Sequence, residues 1–289
     1  MEPQAPTDPC THADSSSPLK PRELVAEFIG VAILVMFGSG ASCQAVTSTN
    51  PGVAPSQQGS TFSIALGWGI ESLGLALGAW VTAGVSEGHL NPAVTLAMAT
   101  WQGFKWKKVL VIQKQAYILA QLMGGIFGAA LVYANYYHAI NVYEGGHFRT
   151  LSTAGFFGTY ALDYVPNATM FFDKFLGCFI LMLIILAVND KCKCPPAKLL
   201  PLALFLTLFG LGVCFGMQTG FAVNPAHDLG PRILTAIAGW GRQVFNYCKY
   251  VFLLGLYFVT AHRSRSSANT DYGWCSATID GWSVIRFRT

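Results

Sequence analysis

His89-Leu90-Asn91-Pro92-Ala93-Val94-Thr95 and Gly220-Phe221-Ala222-Val223-Asn224-Pro225-Ala226 share one tripeptide, at Asn91-Pro92-Ala93 and again at Asn224-Pro225-Ala226. Each copy follows an apolar run and opens a second, shorter one. Proline suits the first turn of a helix, where its missing N–H costs nothing. An Asn just before it caps that helix, and the helix N-terminus carries partial positive charge. In a membrane chain, two short hydrophobic segments at corresponding places of two halves predict half-helices meeting at mid-bilayer. That arrangement makes a selective pore.

Working outward, the composition supports a membrane setting. The chain is 53% hydrophobic and only 11% charged, against about 25% charged in a soluble domain. Phe28 to Ser60, Val109 to Tyr143 (broken only by Lys114) and Phe175 to Asn189 carry no fixed charge. A helix needs roughly 20 apolar residues to cross the hydrocarbon core. Residues 1–22 are polar and Pro/Ser-rich; they do not resemble a cleaved signal peptide and read as a disordered cytoplasmic tail. Ser15, Ser16 and Ser17 within them are read as solvating.

Positive charge is placed beside the spans. Lys20 and Arg22 precede the first, Lys105, Lys107 and Lys108 the third, and Lys191, Lys193 and Lys198 lie between the fourth and fifth. Segments 47–60 and 136–170 carry only Arg149 as a fixed positive charge. By the positive-inside rule the N-terminus is cytoplasmic. Lysines beside spans do not form a nucleic-acid patch, so no nucleic-acid partner is expected. The 8 cysteines are scattered, and Cys192-Lys193-Cys194 is too sparse to imply a metal; no cofactor is expected.

The expected order is span one at 24–46, span two at 62–83, and a half-helix from Pro92 to about Trp101. Span three then covers 113–136, a long outer loop runs to about Pro166, and spans four and five cover 168–188 and 199–215. A second half-helix starts at Pro225 and ends near Gly239-Trp240-Gly241. The fold class is thus an all-α membrane bundle built as an inverted repeat, first half 23–137 and second half 168–245. Non-helical backbone before each tripeptide is tolerable at membrane depth only where it lines a cavity, and its carbonyls then become acceptors for a polar solute.

These residues resemble the major intrinsic protein family of aquaporins and glycerol facilitators, and more closely its aquaglyceroporin branch, of fungal type. The resemblance is carried by Ala26-Glu27-Phe28-Ile29-Gly30, by Gly84-Val85-Ser86 through Thr95, and by Gly220 through Ala226, and runs from about residue 23 to 245. It implies a homotetramer with one pore per subunit, conducting water, glycerol and other small neutral solutes across the lipid bilayer. Asp228, Arg232 and the long outer loop with Gly155-Phe156-Phe157-Gly158-Thr159-Tyr160 are further likenesses to the branch.

The resemblance also implies roles. The side-chain amides of Asn91 and Asn224 donate to the passing molecule, while the half-helix dipoles repel cations and protons. Backbone carbonyls near Ser86 to Leu90 and Gly220 to Val223 supply acceptors. A narrow filter falls on Phe221, Gly212 and a residue of span two. There the Gly67-Trp68-Gly69 cluster favours Trp68, whereas counting back from Asn91 at the family spacing lands on Glu71. The fourth filter position departs from the family: His227 stands where Arg is usual. Histidine is shorter and titrates near neutrality, so the expected filter is wider, pH-sensitive and less strict toward protons. A second departure is Lys174, where the family has a Glu holding the second half-helix loop. Glu27 matches its first-half partner. A lysine cannot accept that loop's N–H groups, which predicts a poorly held loop unless Asp173 substitutes.

After Phe245-Asn246-Tyr247 the resemblance fades. Tyr250 to Ala261 is too short to cross unaided, and the tail from His262 shows no transmembrane pattern. Residues 246–289 are therefore expected to be an altered C-terminus, with the sixth span lost to a retained intron or a frameshift. Codons for Cys-Lys-Tyr-Val at 248–251 accommodate a donor-like GTAAGTATGT. Two functions follow: a passive channel, or a non-conducting subunit that joins full-length homologues. The plasma membrane is the expected site, with endoplasmic reticulum retention under the second reading. No nucleophile–base pair or phosphate loop stands out, so an enzyme is not expected. The Asn167-Ala168-Thr169 sequon lies too near span four for glycosylation.

Overall fold

The computed structural model describes residues 20–70, 86, 88–101, 108–188, 200–246, 277–279 and 282–284. Helix α1 spans Pro21–Thr47 and α2 spans Thr61–Ile70. The first half-helix, α3, covers Pro92–Trp101, followed by α4 at Lys108–Glu144 and a short α5 at Leu151–Ala154. Helices α6 and α7 cover Asn167–Val188 and Leu200–Thr219. The second half-helix, α8, covers Pro225–Thr235 and runs into a π-turn at Ala236–Trp240, and α9 covers Gln243–Asn246. A small antiparallel hairpin pairs Ala277–Ile279 with Trp282–Val284.

Among the described residues, four helices are long and apolar enough to cross a membrane: Pro21–Thr47, Gln115–Glu144, Asn167–Val188 and Leu200–Thr219. Two run further than expected from sequence. Helix α4 continues past Tyr136 because nothing breaks it before Gly145-Gly146. There Gly145 takes φ 74°, Gly146 N–H donates to Asn141 O at 2.9 Å, and Gly145 N–H donates to Val142 O at 3.2 Å. That is a Schellman stop, which needs the left-handed residue that glycine supplies. Helix α7 likewise continues to Thr219, ending at Gly220 with φ 63°. The second half-helix ends at Gly239-Trp240-Gly241, as expected. The remainder of span two, Glu71, the Lys105–Lys107 and Cys192–Cys194 stretches, the N-terminal tail through residue 19 and the apolar run 250–261 lie outside the described residues.

Helix contacts in the bundle are made by missing side chains. A Cβ at Gly124 would lie 2.3 Å from Phe28 O and one at Gly128 2.4 Å from Ala32 O, so α4 rests directly on the α1 backbone. The next residue, Gly125, does the same for α8, where a Cβ would meet Ala226 O at 2.4 Å. Small residues at such spacing let helices approach where lipid offers no hydrophobic drive to associate. Val31, Leu34, Val35, Leu90, Ala129 and Ala226 fill the core between them. Phe37, Leu119, Phe127, Phe179, Leu183 and Leu206 point outward.

Candidate functional site

Each tripeptide Asn caps its own half-helix and reaches across to the other. Asn91 Oδ1 accepts from Ala93 N–H at 2.8 Å, and Asn224 Oδ1 accepts from Ala226 N–H at 3.0 Å. The amide nitrogens cross: Asn91 Nδ2 donates to Val223 O at 3.0 Å and Asn224 Nδ2 donates to Leu90 O at 2.8 Å. A side-chain amide has two N–H groups. One on each Asn locks the two loops together, which leaves the second of each to serve elsewhere.

The first loop is fixed by a fully buried carboxylate on α1. Glu27 Oε1 accepts from Ser86 Oγ at 2.9 Å and His89 N–H at 3.1 Å, while Oε2 accepts from Leu90 N–H and Gln121 Nε2, both at 2.7 Å. Gln121 also donates to Thr95 Oγ1 at 3.1 Å, tying α4 to α3. Leu90 sits at φ 45°, a left-handed conformation that costs a non-glycine residue about 1–2 kcal/mol. Glu27 holds it there, and Gly30 makes room, since a Cβ on Gly30 would lie 2.4 Å from Leu90 Cδ2.

The second loop is fixed with inverted polarity. Lys174, buried on α6, donates to Thr219 O at 3.1 Å and to Gly220 O, and Asp173 accepts from the Thr219 hydroxyl. The lysine cannot accept N–H groups, as expected from sequence, but the loop is not left loose. It presents carbonyls instead, and the Lys174-Asp173 pair holds both ends of the Thr219-Gly220 step.

Between α2, α7 and this loop lies a cavity of about 310 Å3. Its walls include Trp68, Gly212, Phe221 and His227, with Ser42 and Val46 of α1 and Gly158 to Tyr160 of the outer loop. Trp68 and His227 stack at 4.1 Å between ring centroids, 24° between planes. Gly212 admits the Phe221 ring, whose Cζ would lie 2.9 Å from a Cβ there. Trp68 Nε1 donates to Ser42 Oγ at 3.2 Å, and Ser42 Oγ donates to Gly38 O at 3.0 Å.

The outer loop is strapped to α8 by a buried ion pair. Asp228 Oδ1 accepts from Thr159 N–H and Thr159 Oγ1, both at 2.8 Å, and from Arg232 Nη2 at 3.1 Å. Arg232 also donates to Thr159 O at 2.5 Å and Val244 O at 2.7 Å, and its guanidinium lies 4.4 Å from the Tyr160 ring centroid. Burial pushes the Tyr160 phenol up to about 12, against the opposing pull of Arg232, so the ring facing that cation stays neutral. Further out, Arg149 donates to Tyr133 Oη at 2.9 Å and Asn141 Oδ1 at 2.7 Å, and its guanidinium lies 5.3 Å from the Trp240 ring centroid.

The family model described as "Major intrinsic protein" matches residues 14–259. The chain belongs to the major intrinsic protein family. The match extends beyond 23–245 at both ends. An aquaporin of Laccaria bicolor is 55% identical over 228 residues, which span 78% of this chain and 70% of that one. Aquaglyceroporin-9 of Botryotinia fuckeliana is 40% identical over 236 residues, covering 80% of this chain but only 49% of its own length. Among solved structures, the X-ray structure of the aquaglyceroporin from Plasmodium falciparum superposes with TM-score 0.68 at 28% identity, covering 83% of this chain and 90% of that one. The fold is the aquaporin fold, and the protein is a multi-pass membrane channel of a non-enzymatic family.

In this major intrinsic protein the sequence-named residues fall into three groups. Asn91, Pro92, Ala93, Asn224, Pro225 and Ala226 meet where the half-helices abut. Trp68, Gly212, Phe221 and His227 share the cavity, with Glu71 outside the described residues. Glu27, Lys174 and Arg232 are buried supports behind these walls, with Asp228 partly buried beside Arg232. Sequence reading passed over Gln121, Ser42 and Gly38. None stands in a motif, and only their partners across the bundle give them a role. Among the described residues no cluster of His, Cys, Asp and Glu could hold a metal ion, and Cys43, Cys178 and Cys214 are free.

Proposed function

We propose that the chain is a passive channel for water and small uncharged solutes such as glycerol. Asn91 and Asn224 are its central donors, and Trp68, Gly212, Phe221 and His227 form its outer filter. The single observation that supports this most is the shared cavity. Two aromatic side chains and a glycine give a largely apolar wall, which suits a carbon chain. His227 and the carbonyl-bearing loop at Gly220 to Ala222 offer polar contacts for hydroxyls. The half-helix dipoles at the crossed asparagines oppose cations and protons. His227 in place of a fixed guanidinium makes the filter wider.

The N-terminus is assigned to the cytoplasm, the channel to the plasma membrane, and the assembly to a homotetramer. The outward apolar side chains of α4, α6 and α7 serve lipid and neighbouring subunits. The test is stopped-flow light scattering on proteoliposomes of the purified chain, challenged separately with sucrose and glycerol. Fast shrinkage and fast re-swelling support the channel; rates equal to empty liposomes, with protein inserted and folded, overturn it.

A second reading is favoured by His227: a non-conducting subunit that assembles with full-length homologues. This residue replaces a group that the family resemblance implies for conduction. Purification as a tetramer alone speaks against this reading, and recovery only in mixed assemblies speaks for it.

A further inference from the structure

We infer that Gly38 and Ser42 of α1 form a seat that sets how far the Trp68 indole stands into the cavity, and so act as positioning residues for solute size selection; this rests on the channel reading above. A Cβ built on Gly38 would lie 2.0 Å from Trp68 Cε3, 2.2 Å from Cδ2 and 2.4 Å from Cζ3. Three consecutive ring atoms at nearly equal distance place that Cβ over the face of the indole, not at its edge. Gly38 is buried and is not part of the cavity wall, whereas Trp68 is. The α1 backbone therefore lies behind the ring, and only a residue without a side chain lets the ring lie back against it.

One turn along the same helix, Ser42 accepts from Trp68 Nε1 at 3.2 Å and fixes the rotation of the ring on that seat. The serine is itself held by donating to Gly38 O, so the two residues form one unit. Trp68 in turn stacks on His227 across the cavity wall. Contacts this short cannot be absorbed at the ring, which is rigid. A methyl at residue 38 must push the indole toward His227, shifting the cavity wall the two rings share, or spread α1 from α2.

The test measures water and glycerol permeability of wild type, Gly38→Ala, Ser42→Ala, Trp68→Phe and the double variant Gly38→Ala/Trp68→Phe in proteoliposomes. In parallel, 19F spectra are recorded with 5-fluorotryptophan, the Trp68 resonance being assigned by its loss in Trp68→Phe. Gly38→Ala is expected to lower glycerol permeability about tenfold with a smaller loss of water permeability. The smaller phenyl ring restores glycerol flux in the double variant, a rescue that general helix disruption would not give. Ser42→Ala frees the indole to turn, so the glycerol-to-water ratio and the Trp68 resonance both change.

An unchanged ratio and resonance in Gly38→Ala, or glycerol loss that the double variant does not relieve, overturns the inference. If Gly38→Ala does not fold, Ser42→Ala alone decides, and an unchanged ratio and resonance there overturns it. Wild-type vesicles as tight as empty ones would sink the channel reading. The seat would then stand or fall on the resonance alone.

Discussion

Lys174 donates its buried ammonium to the Gly220 carbonyl, at the place where the first half of the molecule uses the Glu27 carboxylate to accept the Leu90 amide. The two halves thus solve one problem with opposite charges. Each half-helix loop leaves the helical path and must satisfy its backbone at membrane depth, where no water is free to do so. The first loop turns its N–H groups to α1, and the second turns its carbonyls to α6.

That inversion makes Lys174 irreplaceable by either a neutral or an acidic residue. Lys174→Met leaves the Thr219 and Gly220 carbonyls without their donor, at about 1–3 kcal/mol. Lys174→Glu places a carboxylate against the same oxygens and lowers the thermal unfolding midpoint further than Met does. Thermal unfolding of the detergent-solubilised protein checks the order. A Glu variant as stable as wild type would show that the loop can flip to present N–H groups instead.

The crossed asparagines predict a separation of capping from cross-linking. Asn224→Asp keeps the acceptor for Ala226 N–H but loses the donor to Leu90 O. The α8 cap persists, the Leu90 carbonyl is left unsatisfied, and stability falls by about 1–3 kcal/mol. Water permeability falls with it, since a negative charge then stands at the positive ends of both half-helices. The unfolding midpoint and sucrose-driven shrinkage measure the two effects separately.

Asp228→Asn strands the Arg232 guanidinium. Removing one member of a buried ion pair costs about 3–5 kcal/mol. Here the loss also releases the outer loop, because Asp228 and Arg232 both hold Thr159. Limited proteolysis between residues 155 and 166 should become faster in Asp228→Asn than in wild type. Arg232→Lys should give a similar but smaller increase, because it keeps the charge and loses the fork of donors.

His227 predicts how the filter ranks solutes by size. The imidazole is buried and stacked on Trp68, so the pH sensitivity expected of an ordinary histidine does not follow. His227→Arg puts a longer, permanently charged side chain on the same wall and should lower glycerol permeability more than water permeability. Stopped-flow measurements with sucrose and with glycerol make the comparison, and equal loss of both would refute it.

The twin Asn-Pro-Ala motifs, the apolar runs and the pairing of Glu27 with the first loop were legible in the sequence because each is local or carried by a motif. Proline and asparagine at a helix start state their geometry wherever they occur. The extra turns at the C-terminal ends of α4 and α7 were missed because composition changes gradually there. The true stops are single left-handed glycines, Gly145 and Gly220. The fate of the second loop could not be read either. Sequence shows that a lysine cannot accept an N–H group, but not that the loop will offer it a carbonyl.

By itself the sequence determined an inverted pair of half-helix motifs in a membrane bundle, because hydropathy and capping chemistry are properties of short segments. Only the tertiary structure decided that Asn91 bonds to Val223 and Asn224 to Leu90, that Trp68 lies against Gly38 and His227, and that Gln121 and Thr159 brace the two halves. Those contacts join residues far apart in the chain. They depend on how closely glycine-faced helices approach, a distance that no local pattern encodes.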